Sequence, residues 1–321
     1  MPRFTILCIV LFVLGLLFTL MGMAIPALAL FPAPVAIYWV LGSYRKSLWL
    51  IAVAALIAVF VSVAFGLSPT VWLTFGAAAA LGIPMAMVIT HRMQFGKAVL
   101  VVALVGTFWV IAVMLLNWEA SRESTEIFIA SSVAQIEDSA NENRTSMEQA
   151  TADYFHWLND NWEYLVFGIV FGFVFVASAL AMAVITSWLR FKVPERIFIF
   201  GTLKDCRPPE SMVWLAIVLA LLWMVDQWWW HSVPLRMITW NAAIGLTMVY
   251  LFNGFSILLN ALHQFQVPPL VYGFIIMSVL ILGSTLGLHP VFLGFGFFDT
   301  WFKFRKRFRI LAKAQKKQKK Q

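Results

Sequence analysis

From Ala98 to Trp118 no side chain carries a charge. That one run restricts the fold more than any other feature. A helix rises 1.5 Å per residue, so about 20 apolar residues cross the roughly 30 Å hydrocarbon layer of a bilayer. Inside that layer no water satisfies the backbone, which leaves only helices and closed barrels. A barrel would need alternating segments of about ten residues, and none are visible. Similar runs recur along the chain. Of its 321 residues 62% are hydrophobic and only 12% charged, whereas a water-soluble domain carries about 25% charged residues. The expected fold is an all-α polytopic transmembrane helical bundle of about 8–10 spans.

The spans fall at 4–23, 24–41, 48–67, 71–89, 98–116, 164–188, 211–229, 238–260, 270–286 and 289–302. Pro26, Pro32 and Pro34 interrupt the second, which reads as a kinked or re-entrant element. The first could be mistaken for a signal peptide, but its apolar core exceeds the 7–15 residues usual for one. Short-loop cations set orientation in membrane proteins. Arg45 and Lys46, Arg92 and Lys97, and Arg190 to Arg207 mark cytoplasmic loops. The tail is more basic still, with ten of the 23 Lys and Arg residues between Lys303 and Lys320. Ten crossings with both termini inside satisfy every short loop.

One polar region interrupts the pattern. Residues 117–163 hold ten acidic side chains and only Arg122 and Arg144 as cations, so the segment belongs outside. Ile129, Val133, Ile136 and Ala140 share one helical face, and Met147, Thr151, Tyr154 and Leu158 another. A helical hairpin or one long bent helix fits, as a connector over the bundle mouth or as a docking site. Asn143-Arg144-Thr145 matches a glycan acceptor triplet, a common pattern. The chain thus divides into an N-terminal transmembrane half (1–116), an acidic extracytoplasmic helical segment (117–163), a C-terminal transmembrane half (164–302) and a basic cytoplasmic tail (303–321).

Ionisable groups inside spans point to function by default, because their burial in lipid is costly. Asp226 and His231 flank Gln227 and three consecutive tryptophans. Either this is an interfacial belt with Asp226 reaching water, or Asp226 and His231 converge with Trp240 and Asn241 on a pocket for a small polar or cationic ligand. Deeper in the next span, Asn253, Ser256 and Asn260 share a face. They read as interhelical hydrogen-bonding groups, with Asn253 alternatively on the floor of a ligand path. No catalytic constellation, metal-ligand spacing or cofactor signature is present. The two cysteines, Cys8 and Cys206, imply neither a disulfide nor a metal cage.

The last span reads "GFGFFDTWFKFRKRF". Asp299 falls about one turn from the basic exit, with Lys303 four positions on and Arg305 six. The i,i+4 spacing makes Lys303 the natural partner along a helix. With Gly254, Ser256, Pro268 and Pro269 upstream, this stretch resembles the C-terminal signature of the YybS-like predicted membrane proteins, a bacterial family of unknown function. Gly296, Asp299, Phe302, Phe304 and Arg305 match its motif, while Lys303 stands where members often carry a second acid. The resemblance is clearest over 240–306. It implies a distant similarity to the solute-binding S-components of energy-coupling factor transporters. Such components dock on an energising module through an alanine pair in the first span, where this chain has Gly15 and Gly22.

These readings converge on a multi-pass protein of a bacterial inner membrane, with both termini cytoplasmic and no enzymatic role. The expected function is that of a solute-binding, transport-related subunit. The alternative is a non-transporting scaffold of envelope biogenesis. The expected partners are the lipid bilayer, anionic lipid at the basic tail and a membrane or energising subunit. Nucleic acid is disfavoured, since no fold motif or aromatic pattern accompanies the charge.

Overall fold

The computed structural model describes residues 32–42, 45–53, 70–116, 146–230, 232–285 and 289–318, together with scattered residues before and between them. Ile129, Val133, Ile136, Ala140, the triplet 143–145, Pro26 and His231 lie outside the described residues. The named helices are α1 (Pro32–Val40), α2 (Thr70–Thr90), α3 (Phe95–Leu116), α4 (Ser146–Lys192), α5 (Ser211–Val225), α6 (Val233–Gln264), α7 (Pro269–Thr285), α8 (His289–Phe302) and α9 (Phe304–Gln318). No strand is present among the described residues, and one isolated backbone bridge joins Gln94 to Phe200.

Among the described residues, four segments meet both the length and the hydropathy expected of a membrane span: Phe95–Leu116, Tyr164–Lys192, Ser211–Trp229 and Val233–Gln264. The chain is therefore an all-α polytopic membrane bundle. Helix α2, with 21 residues and no charge, is also of bilayer length, whereas α1 and α8 are too short to cross unaided. The 14 residues of α8 extend about 21 Å at the helical rise, short of the roughly 30 Å core. The nine residues of α1 are shorter still. Its prolines sit at the helix start, where a missing N–H costs nothing. Gly42, at φ +78°, ends the following turn. Nearly all of α1 is buried, so it packs as an inner element against α2.

Helix α4 organises the molecule. Its 47 residues make about 70 Å of helix, twice the thickness of the hydrocarbon layer. The apolar part begins at Tyr164, and the polar residues before it continue in the same helix. The segment boundary at 163/164 thus falls inside a continuous helix. One face of α4 carries Phe175, Met182, Ile185 and Leu189, buried in one cluster with Ile37, Leu81, Met85, Val99 and Val102 of α1 to α3. On another side Phe175 meets Phe252 of α6 edge to face, with ring centroids 5.5 Å apart.

The two ends of the bundle differ in chemistry. At one end lie the α2–α3 turn, the loop 193–210, the C-terminus of α6 and α9. The Phe198 and Phe200 N–H groups donate to the Ile89 and Met93 carbonyls, and Arg190 Nη2 holds the carbonyls of Ile199 and Gly201 at 2.8 and 2.6 Å. Arg92, Arg190, Lys192, Lys204 and Arg305 make this the basic end. Tryptophans mark the other. Trp118 stacks on Trp162 at 5.8 Å and Trp157 lies 5.7 Å from Trp240. Indoles favour the headgroup region, so this is the chemistry of a membrane boundary.

Candidate functional site: a polar latch and an apolar groove

At the basic end, the C-terminal motif closes on itself. Helix α8 stops at Phe302 because Lys303 takes a left-handed backbone, φ +48°. This break redirects the chain, so Lys303 does not continue the i,i+4 register. Asp299 pairs with Arg305 instead: Oδ2 lies 2.5 Å from Nη1, and Oδ1 accepts the Phe304 N–H at 2.8 Å. The carboxylate therefore also caps the first turn of α9, where orphan N–H groups favour an anion. Arg305 Nη2 donates to the Cys206 carbonyl (2.8 Å), to Asn253 Oδ1 (2.8 Å) and to Ser256 Oγ (3.0 Å). Asn253 Nδ2 then donates to the Gly296 carbonyl at 2.7 Å, and Ser256 Oγ to the Leu203 carbonyl at 2.8 Å.

This network explains several residue types at once. Asp299, Asn253 and Ser256 are each 2% exposed or less. A buried charge is tolerable only when paired and hydrogen-bonded, and here both partners are. Burial pulls the Arg305 guanidinium below its ordinary value, and the charge of Asp299 opposes that. Cys206 is buried and its thiol is pushed up to about 12 by that burial, against the lowering influence of Arg305. Gly254 and Gly296 let α6 and α8 approach closely. A methyl group at Gly296 would run into the Tyr250 carbonyl, and one at Gly254 into that of Phe292. Phe302 stacks on Phe304 across the break at 5.7 Å. The five motif residues Gly296, Asp299, Phe302, Phe304 and Arg305 thus surround one joint between α6, α8, α9 and the loop 193–210.

Toward the tryptophan end, the sequence-derived candidates separate. Asp226 is fully buried at the start of a π-helical turn, Asp226–Trp230, that ends α5. Its Oδ1 accepts the Ser232 N–H at 2.7 Å and its Oδ2 lies 3.3 Å from Arg236 Nε. Asn241 turns toward α4. Its Nδ2 donates to the carbonyls of Tyr164 and Met237, and its Oδ1 accepts the Gly168 N–H at 2.7 Å. Tyr164 and Gly168 stand one helical turn apart, so the amide grips both groups of one rung of α4. Asn253 belongs to the latch.

Of the described candidates, Trp240 lines a cavity. A groove of about 540 Å³ lies between α5, α6 and α8. Its walls are Ala216, Leu219 and Trp223 on α5, Leu246 and Tyr250 on α6, and Leu293 and Phe297 on α8, with Thr239 and Gly294 at its margins. The Thr239 hydroxyl is spent on the Leu235 and Arg236 carbonyls. The Tyr250 hydroxyl is buried with no hydrogen-bond partner among the described residues. The Asp226–Arg236 pair joins α5 to α6 one turn beyond Trp223 and Thr239, and so bounds one end. Arg236 and Tyr250 are residues the sequence reading passed over. The signal for Arg236 was its spacing, three and four residues before Thr239 and Trp240 on one face. Among the described residues no three His, Cys, Asp or Glu side chains gather as a metal site would require.

An all-α bundle with bilayer-length apolar helices, tryptophans at one end and basic loops at the other defines an integral, polytopic membrane protein. Residues 6–300 match the family described as "Predicted membrane protein (DUF2232)", and the chain belongs to it. That match takes in Gly296 and Asp299 and ends before Arg305. No curated protein and no solved structure matches the chain.

Proposed function

We propose that this chain is a membrane-embedded binding subunit whose solute occupies the α5–α6–α8 groove. The observation that carries the reading is the groove itself: apolar walls from three helices, a volume of about 540 Å³, within the range of ligand sites, and an ion pair bounding one end. Its lining favours an apolar or amphiphilic solute over the small polar one expected from Asp226 and Asn241. The YybS-like resemblance, and through it the distant similarity to S-components, supports a transport-related role in a bacterial inner membrane. The positive-inside bias supports the basic end facing the cytoplasm, with both termini there. A reporter joined after Gln321 and active only outside the cytoplasm would overturn that orientation.

The test fills the groove without disturbing the fold. Gly294 borders the cavity and a side chain there would meet nothing within 4 Å. Gly294→Leu should leave the melting temperature of the ligand-free protein unchanged. It should also abolish the stabilisation that solutes give the wild-type chain in detergent. Solutes that stabilise both proteins equally, or a broad amphiphile library that stabilises neither, would contradict the reading. One observation favours the scaffold alternative: α4 continues for 18 residues before Tyr164, about 27 Å of helix beyond its apolar part. Capture of a stable envelope complex through that extension, with the groove variant fully functional, would favour it.

A further inference from the structure

Resting on the groove as the binding site, we infer that its occupant is an anionic membrane lipid, with an acyl chain along the groove and the phosphate at Arg236. Three independent features lead there. Arg236, Thr239, Trp240, Ala243, Thr247 and Tyr250 follow one another by three or four positions, or share a turn, so one face of α6 runs from a guanidinium into apolar wall. From Arg236 to Tyr250 that face is about 21 Å long at the helical rise. A lipid spanning one leaflet from headgroup to bilayer centre, half of the roughly 40–45 Å that includes both headgroup regions, fits such a length; a compact solute would leave most of it empty.

The guanidinium is placed rather than merely present. Buried Asp226 takes its Nε at 3.3 Å, while the side chain stays 45% exposed. No described residue accepts from its two terminal nitrogens, the pair that grips a phosphate in a fork. Both oxygens of Asp226 are engaged, one by Arg236 and one by the Ser232 N–H, which tempers its repulsion of an anion. Trp223 and Trp240 border the same end of the groove, at the depth where indoles meet headgroups.

The experiment uses the full-length chain in phosphatidylcholine vesicles. A trace of phosphatidylglycerol or of phosphatidylcholine carries a photoactivatable acyl chain, and labelled peptides are read by mass spectrometry. Labelling should concentrate on the α5, α6 and α8 segments that line the groove. Both lipids offer the phosphate, but choline adds a cation beside the half-exposed Arg236, so phosphatidylglycerol should exceed phosphatidylcholine by about two- to fivefold, the range for a partly exposed charge contact. Arg236→Gln should bring the ratio close to one, and Gly294→Leu should remove groove labelling by both lipids. The wild-type ratio should also fall at high salt, which reads the charge without any variant. Groove labelling with no headgroup preference, or a preference indifferent to salt, would overturn the anionic lipid and leave the groove as a site. Labelling unchanged by Gly294→Leu would overturn both.

Discussion

Arg305 illustrates how one side chain can bind separate elements together. It donates to Asp299 on α8, to Asn253 and Ser256 on α6, and to the Cys206 carbonyl in the basic loop. The sequence made Asp299 and Arg305 legible as parts of a signature, but not as partners. Counting i,i+4 from Asp299 leads to Lys303 only if the helix continues, and it ends there because the Lys303 backbone turns left-handed. No local pattern in an aromatic-rich exit announces that break. Removing one member of a buried ion pair leaves the other unpaired and costs about 3–5 kcal/mol. Arg305→Ala should therefore loosen the loop, and Cys206 reports it. In a Cys8→Ser background, N-ethylmaleimide at neutral pH should leave wild-type Cys206 unlabelled, because the thiol is buried and raised to about 12. Arg305→Ala should be labelled readily; equal protection in both proteins would mean that the loop holds without the latch. The sign of the pH effect follows from the raised thiol. Its burial costs nothing while the unfolded thiol is also protonated. Stability is then lost as pH rises from the ordinary thiol range toward about 12.

Helices α6 and α8 meet along a glycine seam, an arrangement that matters more in lipid than in water. Lipid tails are as apolar as leucine, so association there relies on close van der Waals contact rather than on escape from solvent. Gly254 and Gly296 provide the approach, each facing a carbonyl of the opposite helix. Both glycines were visible in the motif. Their mutual contact was not, because 42 residues separate them and no periodicity links one helix face to another. Gly296→Ala adds a single methyl against the Tyr250 carbonyl and should cost about 3 kcal/mol, the upper end for overpacking. Thermal unfolding in detergent checks this, and Gly294→Ala, two residues away on an open face, serves as the control. Equal melting temperatures would place the seam elsewhere. The polar residues Asn241 and Asn253 follow the same logic. Sequence marked them as buried amides, and the structure commits Asn241 to a rung of α4 and Asn253 to the latch.

At the scale of the whole molecule, the apolar runs made the membrane class and most helix positions readable, since bilayer thickness imposes their length. The proposed binding site lay beyond that periodicity. The groove forms from three helices distant in sequence, and its walls use ordinary Leu, Ala and Phe that no motif distinguishes. The polar residues that stood out in the sequence largely hold helices together instead. On the proposed reading the latch holds the basic end, and the groove runs from Trp223 and Trp240 down to Tyr250 and Phe297 beside it. The measurement that addresses this reading most directly is a cryo-electron-microscopy map of the full chain in nanodiscs containing phosphatidylglycerol. The account predicts elongated non-protein density between α5 and α8, beginning beside Arg236 and absent in Gly294→Leu. A groove closed by α5 packing directly onto α8, with no density between them, would contradict it.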